Sequence, residues 1–350
     1  MRNQKMNQMK RASSRLLKLC LLAVALYMTS WLFMTFVKSP CHIDETVSVF
    51  VYPGDNQEAV LKKLIEVGQI KHPGKLEFLL NLFNYKEDVH PGRYDIKPSM
   101  SSYKIARNLS SGLQTPVKLT FNNLRTVQDL AGRLSRQLMI DSVTIINRFQ
   151  VKAWQDSMKL TSRNYMCIFI PNTYDVYWNT SSEKLLALFQ REYDNFWNDS
   201  RLEEATKIGL SKYEVSTLAS IVEEETNKRD EMPKVAGLYL NRLRIDMPLQ
   251  ADPTVKFAVG DFTLKRILSG HTKISSPYNT YKNIGLPPGP IRLPSITAID
   301  AVLNATQHSY IYMCARYDFS GYHAFATTLA QHNVNAQAYH QALNKRGILE

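Results

Sequence analysis

The sequence predicts an α+β fold in three parts: a single N-terminal transmembrane helix, a small module, then a larger mixed α/β domain. Three patterns carry this reading. An apolar run close to the N-terminus has the length of a bilayer span. Residues 45–115 read strand, helix, helix, strand, helix. From residue 116 onward, helical periodicities interleave with β-prone and loop-rich stretches. At 350 residues, 44% apolar and 21% charged, the chain is long enough for two domains with a substantial core.

The formal charge of +12 is unevenly placed. Arg2, Lys5, Lys10, Arg11, Arg15 and Lys18 all precede the first acid, Asp44, so half the excess lies in the tail. Elsewhere basic residues are thinly spread, with no Lys/Arg stripe interleaved with aromatics, which argues against a nucleic-acid binder. Residues 1–15 form a basic tail, and "LLKLCLLAVALYMTSWLFMTFV", 16–37, forms the span. Lys18 near its start can snorkel to the headgroups. A cleaved signal peptide would have a shorter apolar region and a small-x-small site, and "TFVKSPCHI" offers none. A lipoprotein signal needs small residues before its cysteine, whereas Cys20 follows "LLKL" and Cys41 follows "VKSP". The expectation is an uncleaved single-pass anchor with its N-terminus inside and the chain beyond residue 40 outside.

Four cysteines are too few for a disulfide framework, and Cys167 and Cys314 are left open as a pair. No CxxC, HExxH or histidine spacing suggests a metal site, and no GxGxxG or GxxxxGKS suggests a nucleotide. No cofactor is therefore expected.

In the first module, "TVSVFVYPGD" (46–55) is a strand and turn, and 56–68 a helix with Val60, Leu61, Leu64 and Ile65 in phase. "GKLEFLLNLF" is a second helix, 90–98 a turn and strand, and 101–112 a third helix. The strand–helix–helix–strand order is that of LysM-type carbohydrate-binding modules, and of a plain spacer equally. The second domain opens at 115–138 with a strand and a helix carrying Val127, Leu130, Leu134 and Leu138. "FQVKAWQDSMKL" and "SEKLLALFQREYDNFWND" are helical, and 165–178 is β-prone with a break at Pro171. Helix dominates from Ser211 to about 245, followed by loops at "LQADPTV", "SPYNTY" and "GLPPGPI". "SITAIDAVLNAT" is a helix, "YIYMCAR" a strand, and the C-terminal stretch a helix.

Within the helical region, "LASIVEEETNKRD" (218–230) places three glutamates in a row after an apolar segment. At about 100° per residue, Val215, Leu218, Ala219 and Val222 form one stripe. Glu225 falls on it, roughly 60° from Val222, while Glu223 is on the flank and Glu224 faces away toward solvent. An inward carboxyl without a partner tends to stay protonated, as a general acid must near neutral pH. A buried ion pair with Arg242 is the competing reading.

The stretch from Leu218 resembles the YceG-like (MltG) family of membrane-anchored endolytic peptidoglycan transglycosylases. The resemblance rests on "ASIVEEET" (219–226), "VAGLYLNRL" (235–243), "MPLQADPTV" (247–255), "YNTY" (278–281) and "GLPPGPI" (285–291), with "IFIPNTY" (168–174) upstream. It implies a LysM-like subdomain over 45–115 and a YceG-like catalytic domain over 116–350. It also implies Glu225, the last glutamate of the E-x-E-T element, as the catalytic acid. The implied reaction is non-hydrolytic cleavage between N-acetylmuramic acid and N-acetylglucosamine, leaving a 1,6-anhydro end. Glu225 would protonate the leaving oxygen and then deprotonate the muramyl C6 hydroxyl, so that an intramolecular nucleophile replaces a second carboxylate.

Around Glu225, Asp252 is a candidate stabiliser of developing positive charge, or simply a turn residue before Pro253. Asn241 and Arg242 are candidates to hold substrate or to lock Glu225, Arg242 for the second role. Gln250 and Thr254 are candidates for glycan amides or turn structure. Tyr278, Asn279 and Tyr281 suit sugar recognition, and "GLPPGPI" suits rigid scaffolding. Phe325-Ala326-Thr327-Thr328 stands where the family has F-x-x-N, leaving His323 and Phe325 as site-wall candidates. The implied partners are peptidoglycan strands, the bacterial cytoplasmic (inner) membrane and peptidoglycan synthases. The alternative function is an inactive glycan-binding scaffold for wall synthesis.

Overall fold

A computed structural model describes residues 2–264 and 266–347, without the side chains of 2–5 and 7–12. The basic tail's Arg2, Lys5, Lys10 and Arg11 side chains therefore lie outside the described residues. The chain divides into two compact units: residues 1–117 with 175–179, and 118–174 with 180–350.

The first unit begins with α1 (Arg2–Phe36), of which Ser13–Phe36 is long and apolar enough to cross a membrane. It continues as β1 (Val47–Val51), α2 (Gln57–Gly68), α3 (Gly74–Leu82), β2 (Gly92–Ile96) and α4 (Ser102–Ser110). β1 and β2 pair antiparallel, with Val47 opposite Ile96 and Val51 opposite Gly92. The inward residues of each strand, Val49, Val51, Tyr94 and Ile96, meet Leu64, Leu76, Leu80 and Ile105 of the helices in one core. Asn56 and Ser101 cap α2 and α4 by accepting from the third residue beyond them.

The chain continues through β3 (Val117–Thr120) to α5 (Val127–Ser135), α6 (Ser142–Phe149), α7 (Lys152–Ser157), β4 (Thr173–Val176), α8 (Ser182–Phe196) and α9 (Asp199–Lys207). Then follow α10 (Lys212–Glu225), α11 (Met232–Arg244), α12 (Asp252–Val259), α13 (Ile296–Leu303), β5 (Tyr312–Ala315), β6 (His323–Ala326) and α14 (Leu329–Lys345). β5 and β6 form an antiparallel hairpin, Met313 opposite Phe325. Aromatic rings of Phe121, Phe149, Phe169, Tyr174 and Phe189 pack edge to face and tilted around α8.

α10 is the central element of the second unit. It packs against α9, α11, α12, α13 and the turn at Tyr165–Ile168. Every residue from Val215 to Val222 is buried, so the helix is enclosed and not merely striped. Its three buried hydroxyls, Ser216, Thr217 and Ser220, donate to the backbone carbonyls of Lys212, Tyr213 and Thr217 within the helix. That is how polar side chains sit in an interior without losing a bond.

Several local expectations are corrected. The stretch read as one helix at 149–160 sits across α6 and α7, which meet at Gln150 and Val151. "LQADPTV", read as loop, opens α12: Pro253 occupies the first turn, where its missing N–H is no loss, and Gly260 closes the helix at φ +79°. "HAFA" forms β6 although nothing in its local pattern alternates. Cys167 is buried and Cys314 half-buried, and both are free thiols.

Candidate active site

α10 begins with a capping box between Ser211 and Glu214 and ends at Glu225, where Thr226 turns to extended backbone. The three glutamates of its last turn go to three different environments. Glu223 accepts from the backbone N–H of Ser295, the N-cap of α13, at 2.8 Å. Glu224 accepts two bonds from Arg125 at 2.6 and 2.8 Å and one from Arg292 at 2.7 Å. This overturns the expectation of a solvated Glu224. Helical phase puts that residue opposite the apolar stripe, but the opposite side of an enclosed helix is protein, and two guanidinium groups neutralise the carboxylate there.

Glu225 has a different partner. The buried Tyr239 of α11 donates its hydroxyl to Oε1 at 2.8 Å. Burial pushes the Glu225 carboxyl up to about 7, against the pull of the Tyr239 hydrogen bond and of His323. The nearby charge of Asp252 pushes in the same direction as burial, and Arg242 pulls the other way. Glu225 also stands at the negative end of α10, which disfavours its ionised form further. The result is a carboxyl that is protonated for a large fraction of the time at neutral pH, held by a donor that keeps its ionised form within reach.

The walls of this position are built by neighbouring residues. Asp252, exposed at the start of α12, accepts from the Tyr281 hydroxyl at 2.6 Å. Arg242 is buried but makes no ion pair with Glu225: Nε donates to the Ile311 carbonyl at 2.7 Å and Nη1 to Leu249 at 2.6 Å. It therefore ties α11 to the loop before Asp252 and to the residue that leads into β5, and acts on Glu225 only through space. Asn241 donates Nδ2 to the carbonyls of His308 and Tyr310, at 2.7 and 3.0 Å. Gly237 permits this approach, because a Cβ there would overlap the Thr306 carbonyl.

Two candidates for substrate contact turn out to be internal. Thr254 is fully buried, donating to Ala251 and sharing a 2.8 Å contact with Thr280. Asn279 is fully buried, donating to Thr272 and Ile274 while its Oδ1 accepts from the Tyr281 N–H. Their polarity is spent on holding the loop that presents Tyr281. Tyr278 packs its ring on Phe257, centroids 4.7 Å apart, and its hydroxyl faces the Arg163 carbonyl. Gln250 is exposed in left-handed backbone at φ +49°, its N–H bound to Thr280 and its side chain outward.

His323 is fixed twice by the buried Glu231, through its backbone N–H at 2.7 Å and Nδ1 at 2.9 Å. Glu231 also accepts from Thr226 at 2.9 Å, so one carboxylate joins the end of α10 to β6. Phe325 packs against Tyr310 with the two rings tilted, and Lys234 Nζ lies 4.4 Å from its ring centre. Thr328 is the N-cap of α14. Beside the Glu223 flank lies a cleft of about 360 Å3 whose lining includes Asn123, Asn227, Arg229 and Arg292.

Tyr239 and Glu231 were not foreseen from sequence. A tyrosine within the apolar face of "VAGLYL" needs a partner for its hydroxyl, and that is the signal that points to it. Glu231 gives no such signal, since its three bonds are to residues 226 and 323.

Comparison with known proteins bears on this arrangement. A family model described as the YceG-like family matches residues 49–338. Over 308 residues the chain is 27% identical to the endolytic murein transglycosylase of Streptococcus pneumoniae strain D39, spanning 77% of this chain and 54% of that protein. It is 34% identical over 168 residues to the endolytic murein transglycosylase of Bacillus subtilis strain 168, covering 48% and 46% of the two chains. The chain thus spans about half the length of the curated relatives it matches. A crystallised YceG-like protein from Listeria monocytogenes aligns with a TM-score of 0.55 at 25% identity, over 83% of this chain and 99% of that one. The family match covers most of the chain: this protein belongs to the YceG-like family.

Proposed function

We propose that the protein is an endolytic murein transglycosylase, a lyase that cuts the MurNAc–GlcNAc bond of nascent peptidoglycan without water and leaves 1,6-anhydro-MurNAc ends. The observation that carries this reading is the Glu225 carboxyl, raised by burial to about 7 and held by Tyr239. The names of the relatives support the same reaction class.

Protonated Glu225 donates to the glycosidic oxygen as the bond breaks, and the departing sugar takes the pair of electrons with that proton. The muramyl C6 hydroxyl attacks C1 of its own ring, and its proton passes to the Glu225 carboxylate, which restores the starting state. The hydroxyl is already part of the bound sugar, so proximity replaces a second activating group. Asp252 supplies negative charge for the oxocarbenium-like transition state, oriented by the Tyr281 hydroxyl. Tyr281, Gln250, Phe325 and His323 line the sugar path, and Asn241 and Arg242 hold its walls. Cleavage within the strand terminates glycan elongation, with peptidoglycan synthases as working partners.

Residues 45–115 serve as a LysM-like subdomain and 116–350 as the transglycosylase domain. α1 anchors the chain once in the bacterial cytoplasmic membrane, basic tail inside. Purified protein given glycan strands is expected to release anhydro-ended fragments, and Glu225→Gln to abolish release while the fold is kept. Reducing ends formed by water would refute the lyase reading. A scaffold without activity would have no use for a carboxyl poised near neutrality, and nothing in the site favours that alternative.

A further inference from the structure

The last turns of α1 divide into two faces. Trp31 and Thr35, four residues apart, turn toward the rest of the first unit: Trp31 meets Phe78 of α3 edge-on at 6.0 Å, and Thr35 is fully buried. Phe36 meets Tyr103 of α4 at 4.8 Å. Leu32, Phe33, Met34 and Val37 remain exposed. Both faces belong to one helix at one height. If the exposed face is in lipid, whatever touches Trp31 and Thr35 stands at the membrane surface.

The depth follows from the length of the span. At 1.5 Å per residue, Ser13–Phe36 is about 36 Å long against a hydrocarbon core of about 30 Å. Centred on that core, the span puts Phe36 about 2 Å beyond the outer edge, and about 5 Å inside the edge lies Trp31. Phe78, in contact with it, and Leu82, one turn further along α3, are 51% and 62% exposed. Two large apolar side chains on one helix face, at the height of a membrane boundary, match an interfacial surface. Beside them a cleft of about 610 Å3 is lined by Trp31, Lys71, His72, Lys75 and Phe78. Lys71 and Lys75 have no acidic partner among the described residues, and Lys38 follows directly after the span.

We infer that this face of the first module is a phospholipid-binding surface: Phe78 and Leu82 enter the extracytoplasmic leaflet, and Lys71 and Lys75 hold an anionic headgroup in the cleft beside Trp31. The inference rests on α1 being a membrane anchor. Its consequence is that the module is seated on the bilayer and does not swing free on the anchor.

The test uses the full chain reconstituted in vesicles of equal phosphatidylglycerol and phosphatidylcholine, with a photo-crosslinking amino acid at either Phe33 or Leu82. The expected result is a lipid adduct by mass from both positions. At Leu82 the phosphatidylglycerol adduct should exceed the phosphatidylcholine adduct roughly threefold or more, and the excess should vanish in Lys71→Glu/Lys75→Glu. A lipid adduct at Phe33 without one at Leu82 overturns the inference while leaving the anchor intact. No adduct at Phe33 overturns the anchor reading and the inference with it. Adducts at Leu82 without headgroup preference overturn the assignment of the basic cleft.

Discussion

Replacing Tyr239 by phenylalanine removes one hydroxyl from the wall of the site and leaves the ring in place. That hydroxyl donates to Glu225 at 2.8 Å, and it stabilises the ionised carboxylate more than the neutral acid. A hydrogen bond to a charged group contributes about 1.5–3 kcal/mol. At about 1.36 kcal/mol per pKa unit, its loss raises the carboxyl by roughly one to two pH units, and water entering beside the half-buried group favours the lower figure. Glu225 must start protonated, so kcat/KM is expected to fall on the alkaline side with a midpoint near 7 in the wild type. In Tyr239→Phe that midpoint should move to about 8, with activity near pH 6 largely kept. The measurement is kcat/KM for anhydro-product release between pH 5 and 10. An alkaline midpoint that stays in place or moves down would refute the assignment of Glu225 as the acid positioned by Tyr239.

Further expectations concern the neighbours. Asp252→Asn removes a charge that raises Glu225, so the alkaline midpoint should move down, and the rate at pH 6 should fall through loss of transition-state stabilisation; an upward shift in the pH profile contradicts the pairing. Glu225→Gln abolishes a group whose folded-state pKa is raised from 4.5 to about 7. The wild type's contribution from that proton is complete below pH 4.5 and lost as pH rises through 7, so the variant should gain up to about 3 kcal/mol relative to wild type between pH 5 and 9 in urea unfolding. Glu224→Ala strands two arginines, Arg292 and Arg125, and should destabilise by about 3 kcal/mol while the protein that remains folded still makes anhydro ends; a stable but inactive variant would shift the chemistry to Glu224. Gly237→Ala drives a methyl group into the Thr306 carbonyl and should lower the melting temperature by several degrees, as about 2 kcal/mol would.

The sequence carried the fold wherever a local rule applied. Helical patterning located α2, α4, α8, α13 and α14, and β-prone runs located β1, β2 and β5. α12 was missed because Asp252-Pro253 reads as a turn unless Pro253 is seen as part of the first turn of a helix. β6 was missed because "HAFA" becomes a strand only by pairing with β5 across a hairpin, and its four residues carry no strand pattern of their own. At the site, the phase of Glu225 on α10 was readable, since that needs only the helix itself. Glu224 was misjudged because its surroundings, Arg125 and Arg292, come from loops about a hundred and about seventy residues away. Thr254 and Asn279 looked like sugar contacts because side-chain polarity says nothing of whether its bonds are already made inside.

The most direct test is the mass of the fragments released from uncrosslinked glycan strands by the wild type and by Glu225→Gln. The account requires wild-type ends lighter by one water than hydrolysed reducing ends, and no release by the variant at any pH from 5 to 9. Full-mass reducing ends, or anhydro ends from Glu225→Gln, would contradict it.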